Sequence, residues 1–125
     1  MEKASGVYLS LVIPVYNEVG NLEELYGELV AASAKIGRPS EIIFVDDGST
    51  DQSWPILQTL QKKDGRVKLI RLRRNFGQTA ALAAGFDYAN GDIIVSLDAD
   101  LQNDPNDIPL LIRKIEEGYD IVSGW

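Results

Sequence analysis

Two residue types are missing from the chain altogether. Its 125 residues include no cysteine and no histidine, which removes disulfides, zinc sites built on those ligands, thiol nucleophiles and Ser-His-Asp catalysis. Any catalysis must then run on carboxylates, a metal or groups of the substrate. Basic residues are few, 12 Lys and Arg against 19 Asp and Glu, for a net charge of -7. That balance argues against a nucleic-acid surface and against this part of the chain lying on anionic lipid, whereas its carboxylates could collect a divalent cation. No apolar run approaches the roughly eighteen residues of a membrane span, and no basic segment followed by an apolar one opens the chain. The piece is therefore expected to be soluble and unexported. The GxxxxGK[ST] and GxGxxG patterns are absent too, so a nucleotide would have to be held without a P-loop or the usual dinucleotide fingerprint, by carboxylates and metal.

What is present is enough for one domain with a real core: 45% hydrophobic and 25% charged residues, with no linker, repeat or low-complexity stretch. Residues 1–125 are read as a single domain. YLSLVIPV (8–15) is rich in Leu, Val and Ile without helical spacing and predicts a buried strand. Asn21 with Glu24 suggests a capping box, and Leu22, Leu25, Tyr26, Leu29 and Val30 mark one helix face, ended by Gly37 and Pro39. EIIFV (41–45) predicts a second strand; the turn GSTDQS and a helix with Pro55 in its first turn follow, ending near Gly65. VKLIRL (67–72) predicts a third strand. Residues 78–89, with Ala80, Ala81, Ala83, Ala84 and Gly85, predict a helix able to pack closely on a sheet, with Asn75 as a cap before it and Asn90-Gly91 as a cap after it. Residues 92–97 predict a fourth strand. A last helix is expected to start between Pro105 and Pro109, with Ile108, Leu111, Ile112 and Ile115 on one face and Gly118 at its end, before a fifth strand in DIVSGW.

Alternating strands and helices with short connections predict an α/β fold, a Rossmann-like, mostly parallel sheet with helices on both faces. Such sheets bind ligands beyond the carboxyl ends of the strands, where the strand order reverses. PVYNE, VDDGS and LDADLQ stand at the ends of the first, second and fourth strands. In an order 3-2-1-4 they would line one crevice.

Each cluster has a chemical and a bland reading. Asp98-Ala99-Asp100 can hold Mg²⁺ or Mn²⁺, which are hard cations served by one or two carboxylates plus phosphate and water, and Gln102 can add a carbonyl oxygen. Equally, Asp and Asn in a loop make Asx turns and cap the next helix, as Asp104 or Asn106 would. Asp46 at the crevice mouth can accept a ring N–H of uracil or guanine; otherwise it starts the turn at Gly48, a task open also to Asp47 or Asp51. Tyr16 offers a ring beside a base and Glu18 a carboxylate, or else Tyr16 packs and Glu18 serves the helix dipole. Arg73 and Arg74 either meet a diphosphate or lie in a solvated loop.

With PVYNE, VDDGSTD, RNFGQ, LDADLQ and EEGYDIVSG in this order from about residue 11 to 125, the chain resembles the family 2 glycosyltransferases of the GT-A fold. Within them it is most similar to the polyprenyl-phosphate group that includes dolichol-phosphate mannosyltransferase and bactoprenol glucosyltransferase. The resemblance implies that Pro14, Tyr16, Glu18, Phe44, Asp46, Asp98, Ala99 and Asp100 bind the nucleotide. It implies further that Asp98 and Asp100 act at the reaction centre and that, with Gln102, they hold Mg²⁺ or Mn²⁺. The implied reaction moves a sugar, with inversion, from a nucleotide diphosphate sugar (a UDP-sugar or GDP-mannose) to a polyprenyl phosphate. A phosphate monoester with a second pKa of about 6 is largely ionised at neutral pH and needs no strong protein base, so the missing histidine is no objection. Members of the family continue past this point, often with membrane helices, so the chain is expected to be an N-terminal, donor-binding portion, truncated on its C-terminal side, of a protein at the cytoplasmic face of a membrane. Alternatives are a family 2 enzyme with a saccharide acceptor, a D-x-D phosphotransferase, and a phosphoryl-accepting receiver-like module. A phosphotransferase of that kind normally opens its domain with D-x-D and follows it with a lysine and a second acidic pair, for which the residues after Asp100 leave little room, and a receiver would have its acidic pair and lysine where YNE and VSGW stand here.

Overall fold

A computed structural model describes residues 6–99 together with Leu110, Arg113 and Glu117. The elements run β1 (Leu9–Val15), α1 (Leu22–Ile36), β2 (Ser40–Asp46), α2 (Ser53–Lys63), β3 (Val67–Arg71), α3 (Gln78–Tyr88) and β4 (Ile93–Ser96). All strand pairs are parallel and the order is β3-β2-β1-β4. The chain thus reverses direction across the sheet at β1, and β1 and β4 separate at the carboxyl edge: Ser96 lies opposite Val12, so the residues after β4 leave beside the end of β1. The last helix and the fifth strand expected from the sequence fall mostly or wholly outside the described residues.

Strand alternation sorts the core into two layers. Leu9, Leu11, Ile13 and Val15 of β1 and Ile42 and Phe44 of β2 pack with Leu22, Leu25 and Leu29 of α1 and Leu57 and Leu60 of α2. Val12, Ile43 and Val45, one residue out of phase, pack with Ala81 of α3 on the other face. Helices therefore cover both faces, and β1 is buried on each. Gly85 brings α3 close to the sheet. A Cβ there would run into Val12 Cγ1 and would lie 3.2 Å from Val45 Cγ2.

Three local expectations are corrected. Asn21 precedes α1 but makes no capping bond, because its backbone is near-helical (φ -114°, ψ -16°) rather than extended; its Nδ2 instead donates to Glu18 Oε2 at 2.9 Å. Asn75 is not the cap of α3. Gly77 holds that position, and Asn75 Nδ2 donates to the backbone and side-chain oxygens of Asp47. Asn90-Gly91 does not form a left-handed cap either, since α3 ends at Ala89 in an extended conformation. There the chain is pinned to the amino edge of the sheet by Asn90 N donating to Glu41 Oε2 (2.7 Å) and Gly91 N to Ser10 Oγ (2.8 Å). Ser10 Oγ in turn donates to Glu41 Oε2, so this buried carboxylate has partners at the end of the fold away from the acidic clusters.

Candidate functional site

At the carboxyl edge the loops after β1, β2 and β4 meet around two open clefts. The first, of about 190 Å³, is lined by Pro14, Tyr16 and Glu18 from β1 and the loop after it, by Asp47 and Gln78, and by Asp98 and Ala99 after β4. The second, of about 630 Å³, is lined by the turn at Gly48, Ser49 and Thr50 and by Arg71 at the end of β3 with the residues after it to Asn75. Tyr16, 44% exposed, borders both. Five of the residues expected at a nucleotide site, Pro14, Tyr16, Glu18, Asp98 and Ala99, are thus brought to one cleft. Asp100 and Gln102 lie outside the described residues.

The loop after β1 is tied to the loop after β2. Asp47 N donates to Val15 O at 2.8 Å, Asn17 N to Ser49 Oγ at 2.9 Å and Glu18 N to Ser53 Oγ at 3.0 Å. Asp51 Oδ1 accepts from Ser53 N at the start of α2. Burial raises the Asp51 pKa, but hydrogen bonds from the Ser53 hydroxyl and backbone outweigh it, so its carboxyl is held below the usual value.

The two aspartates at the end of β2 divide by strand parity. Asp46 follows Ile42 and Phe44 onto the α1/α2 face and has no exposed surface. Its Oδ1 accepts from Ser49 N at 3.1 Å, so Asp46 does serve the turn. Its Oδ2 has no hydrogen bond and lies 3.7 Å from Arg71 Nε, directly behind the Ser49, Arg71 and Leu72 wall of the larger cleft. Arg71 is itself held with its guanidinium carbon 5.0 Å from the Trp54 ring centroid. Arg71 itself lines that cleft and its side chain is half exposed, whereas Asp46 lines neither cleft. Phe44, by the same parity, is a core side chain and does not line either cleft.

Asp47 shares parity with Ile43 and Val45 and turns to the α3 face. It accepts from Phe76 N (2.8 Å), Gly77 N (3.0 Å) and Asn75 Nδ2 (3.1 Å). This carboxylate on free amides before α3 is the helix's real N-terminal partner. Sequence reasoning left Asp47 as a spare turn residue, although the period of two from Val45 would have pointed it at α3. Gln78, the first residue of α3, was also missed; its Nε2 donates to Asp98 Oδ1 at 3.2 Å. Gly48 makes this packing possible: at φ +73° it sits so close to the following loop that a Cβ would overlap the backbone of Arg74 and Asn75.

A metal would have few described ligands here. Among the described residues no group of three or more carboxylates could hold an ion. Asp47, saturated by N–H donors, is poorly suited to a cation; of the other two carboxylates lining the smaller cleft, Glu18 accepts from Asn21 Nδ2 through Oε2 and Asp98 from Gln78 Nε2 through Oδ1, the latter at 3.2 Å.

Residues 10–125 match Glycosyl transferase family 2. The chain belongs to this family. Over 115 residues it is 49% identical to undecaprenyl-phosphate 4-deoxy-4-formamido-L-arabinose transferase from Pseudomonas aeruginosa, with 91% of this chain and 34% of that protein covered. To the protein of the same description from Edwardsiella ictaluri it is 47% identical over 116 residues, covering 92% and 36%. The chain spans about a third of the length of these curated relatives. In three dimensions it is similar to S. aureus TarS in complex with UDP-GlcNAc, with a TM-score of 0.69 and 25% identity over 89% of this chain and 32% of that one. It also shares the fold of the mannosyltransferase PcManGT from Pyrobaculum calidifontis in complex with GDP-Man and Mn2+, with a TM-score of 0.63 and 24% identity over 78% of this chain and 28% of that one. The fold of this family 2 chain is GT-A, and the receiver-like and phosphotransferase readings are set aside. Among the described residues no helix is long and apolar enough to cross a membrane.

Proposed function

We propose that this family 2 chain is the donor-binding part of an inverting glycosyltransferase that moves a sugar from a nucleotide diphosphate sugar to a polyprenyl phosphate at the cytoplasmic face of a membrane. The observation that carries the donor site is Tyr16, which forms the ridge between the two clefts. The larger cleft takes the base and ribose, with Tyr16 at its edge and Asp46 behind its wall as the acceptor for a ring N–H once Arg71 swings aside. The diphosphate then crosses the ridge toward Asp98. Asp98, with Asp100 and Gln102 of the same sequence motif, would hold Mg²⁺ or Mn²⁺, which offsets the charge growing on the leaving diphosphate. Gln78 keeps the Asp98 carboxylate aimed at that position, and Asp47 fixes the loop before α3 without taking part.

The acceptor assignment rests on the similarity to undecaprenyl-phosphate transferases. It agrees with a chain that has no histidine, because an ionised phosphate oxygen is its own nucleophile: it bonds to the anomeric carbon as the bond to the nucleotide diphosphate breaks. The full-length protein, in membranes, should convert undecaprenyl phosphate to a glycosyl phosphate lipid, read by mass spectrometry, with one of a panel of UDP- and GDP-sugars in the presence of Mn²⁺. Sugar appearing only on a saccharide acceptor would overturn the lipid assignment.

A further inference from the structure

Asn17 is the one described residue other than glycine with a positive φ, at 52°. An L-residue in the left-handed region is strained, and Asn tolerates it better than most because its short side chain can bond nearby backbone. Here the bonds are not local in sequence. Asn17 Oδ1 accepts from Thr50 N at 2.8 Å and from Asp51 N at 3.3 Å, both in the loop after β2. In the opposite direction Asn17 N donates to Ser49 Oγ at 2.9 Å. The bonds are reciprocal, each loop supplying amide donors to a side-chain oxygen of the other.

The neighbours of Asn17 show what the clasp holds. Tyr16 and Glu18, on either side, line the smaller cleft, and Ser49 and Thr50 line the larger one. A left-handed residue between Tyr16 and Glu18 reverses the chain locally, so that both flanking side chains meet the same cleft. The amides it captures belong to the turn that begins at Gly48. We propose that Asn17 is a positioning residue that locks the two clefts at a fixed separation, so that a nucleoside diphosphate spanning the Tyr16 ridge meets a preformed site. This rests on the nucleotide reading above. It adds a residue that touches no ligand and acts through Tyr16, Glu18 and Thr50, and the energetic advantage is preorganisation, since loops already ordered need not be ordered by the ligand.

Three substitutions separate the two properties of Asn17. Asn17→Gly permits the left-handed backbone but lacks the acceptor; Asn17→Ala lacks both; Asn17→Asp keeps both. Amide hydrogen exchange at Thr50 and Asp51 reads the clasp directly, and calorimetric titration with UDP and with GDP, each with Mn²⁺, reads its effect on binding. Exchange should speed about tenfold at those two amides in Asn17→Gly and Asn17→Ala and return toward wild type in Asn17→Asp. Nucleotide affinity should fall about tenfold in the Gly and Ala variants, while Asn17→Gly keeps a higher thermal midpoint than Asn17→Ala. Unchanged exchange at Thr50 and Asp51 in the Gly and Ala variants would overturn the clasp. Faster exchange with wild-type affinity would overturn its role in binding. A wild-type protein that binds neither nucleotide would instead overturn the nucleotide reading, and with it the binding role, while the exchange data still decide the clasp.

Discussion

Asp46→Asn separates recognition from stability. The carboxylate is fully buried, with Oδ1 on Ser49 N at 3.1 Å and Oδ2 without a hydrogen bond. An amide of the same shape keeps the Ser49 bond through its oxygen and turns its NH₂ to the place of Oδ2. What is lost in the fold is the pairing with Arg71 at 3.7 Å, and because that side chain is 52% exposed the pairing contributes about 0 to 1 kcal/mol. Against this, a buried charge is removed, which relieves its desolvation. The net change in unfolding free energy should stay within about 1 kcal/mol. Binding should respond differently. A carboxylate accepting a base N–H contributes about 1.5 to 3 kcal/mol, and an NH₂ in its place sets donor against donor, so affinity should fall about ten- to a hundredfold. Urea denaturation and calorimetric titration with UDP and GDP, run on the same preparations, give both numbers. Wild-type affinity in Asp46→Asn would refute base reading by Asp46. A stability loss of several kcal/mol would refute the near-neutral effect on the fold.

Gly48→Ala should be far more damaging than its size suggests. The left-handed backbone at φ +73° costs a non-glycine residue about 1 to 2 kcal/mol, and the new Cβ must push away the Arg74-Asn75 backbone, releasing the bonds of Asp47 to Asn75, Phe76 and Gly77. Denaturation should show a loss above about 2 kcal/mol together with lost nucleotide binding; a change under about 0.5 kcal/mol would contradict the close packing. Acid should expose a second contact, far from the clefts. The Asp64 carboxyl is held well below the usual carboxylate range, first by hydrogen bonds from the Arg66 guanidinium, against the opposing effect of burial, with the Arg66 amide and the Tyr26 hydroxyl assisting. A lowered folded pKa gives stability that is complete above the unfolded value of about 3.9 and is lost as pH falls toward the folded value. Urea midpoints from about pH 6 to pH 2 should therefore fall more steeply below about pH 4 in the wild type than in Asp64→Asn, and parallel curves would contradict the assignment.

The sheet was legible in the sequence because its signals are local and repeated. Short apolar or alternating runs bounded by polar turns, two of them ending in carboxylates, gave four strands, each within about two residues of the observed ends, and helical spacing with Gly37 at the helix end gave α1. The order β3-β2-β1-β4 entered only as the condition under which three polar clusters would share one crevice, because strand order rests on pairings distant in sequence, and the structure meets that condition. Side-chain partners were harder, because they depend on contacts distant in sequence. Asn21 and Asn75 looked like caps by position, yet each found a carboxylate instead, Glu18 and Asp47. The roles of Asp46 and Asp47 were inverted for the turn because the face each one takes matters only once α3 is known to lie over Val45. Phe44 followed its parity into the core. Asn17 gave no sign of its conformation, since a positive φ at an Asn is set by what the loop must reach.

Two adjoining clefts at the carboxyl edge of the sheet, meeting at Tyr16, are proposed to receive one nucleoside diphosphate with its cation. Amide spectra of the isotopically labelled protein, titrated with UDP or GDP and then with trace Mn²⁺, test this most directly. The nucleotide should shift the signals of Tyr16, Gly48, Ser49 and Thr50, and the paramagnetic ion, added with nucleotide bound, should broaden first the signals of the proposed ligands Asp98, Asp100 and Gln102 and of Gln78 and Ala99. Broadening centred elsewhere, for example around Asp64, or nucleotide shifts that leave Tyr16 untouched, would contradict the account.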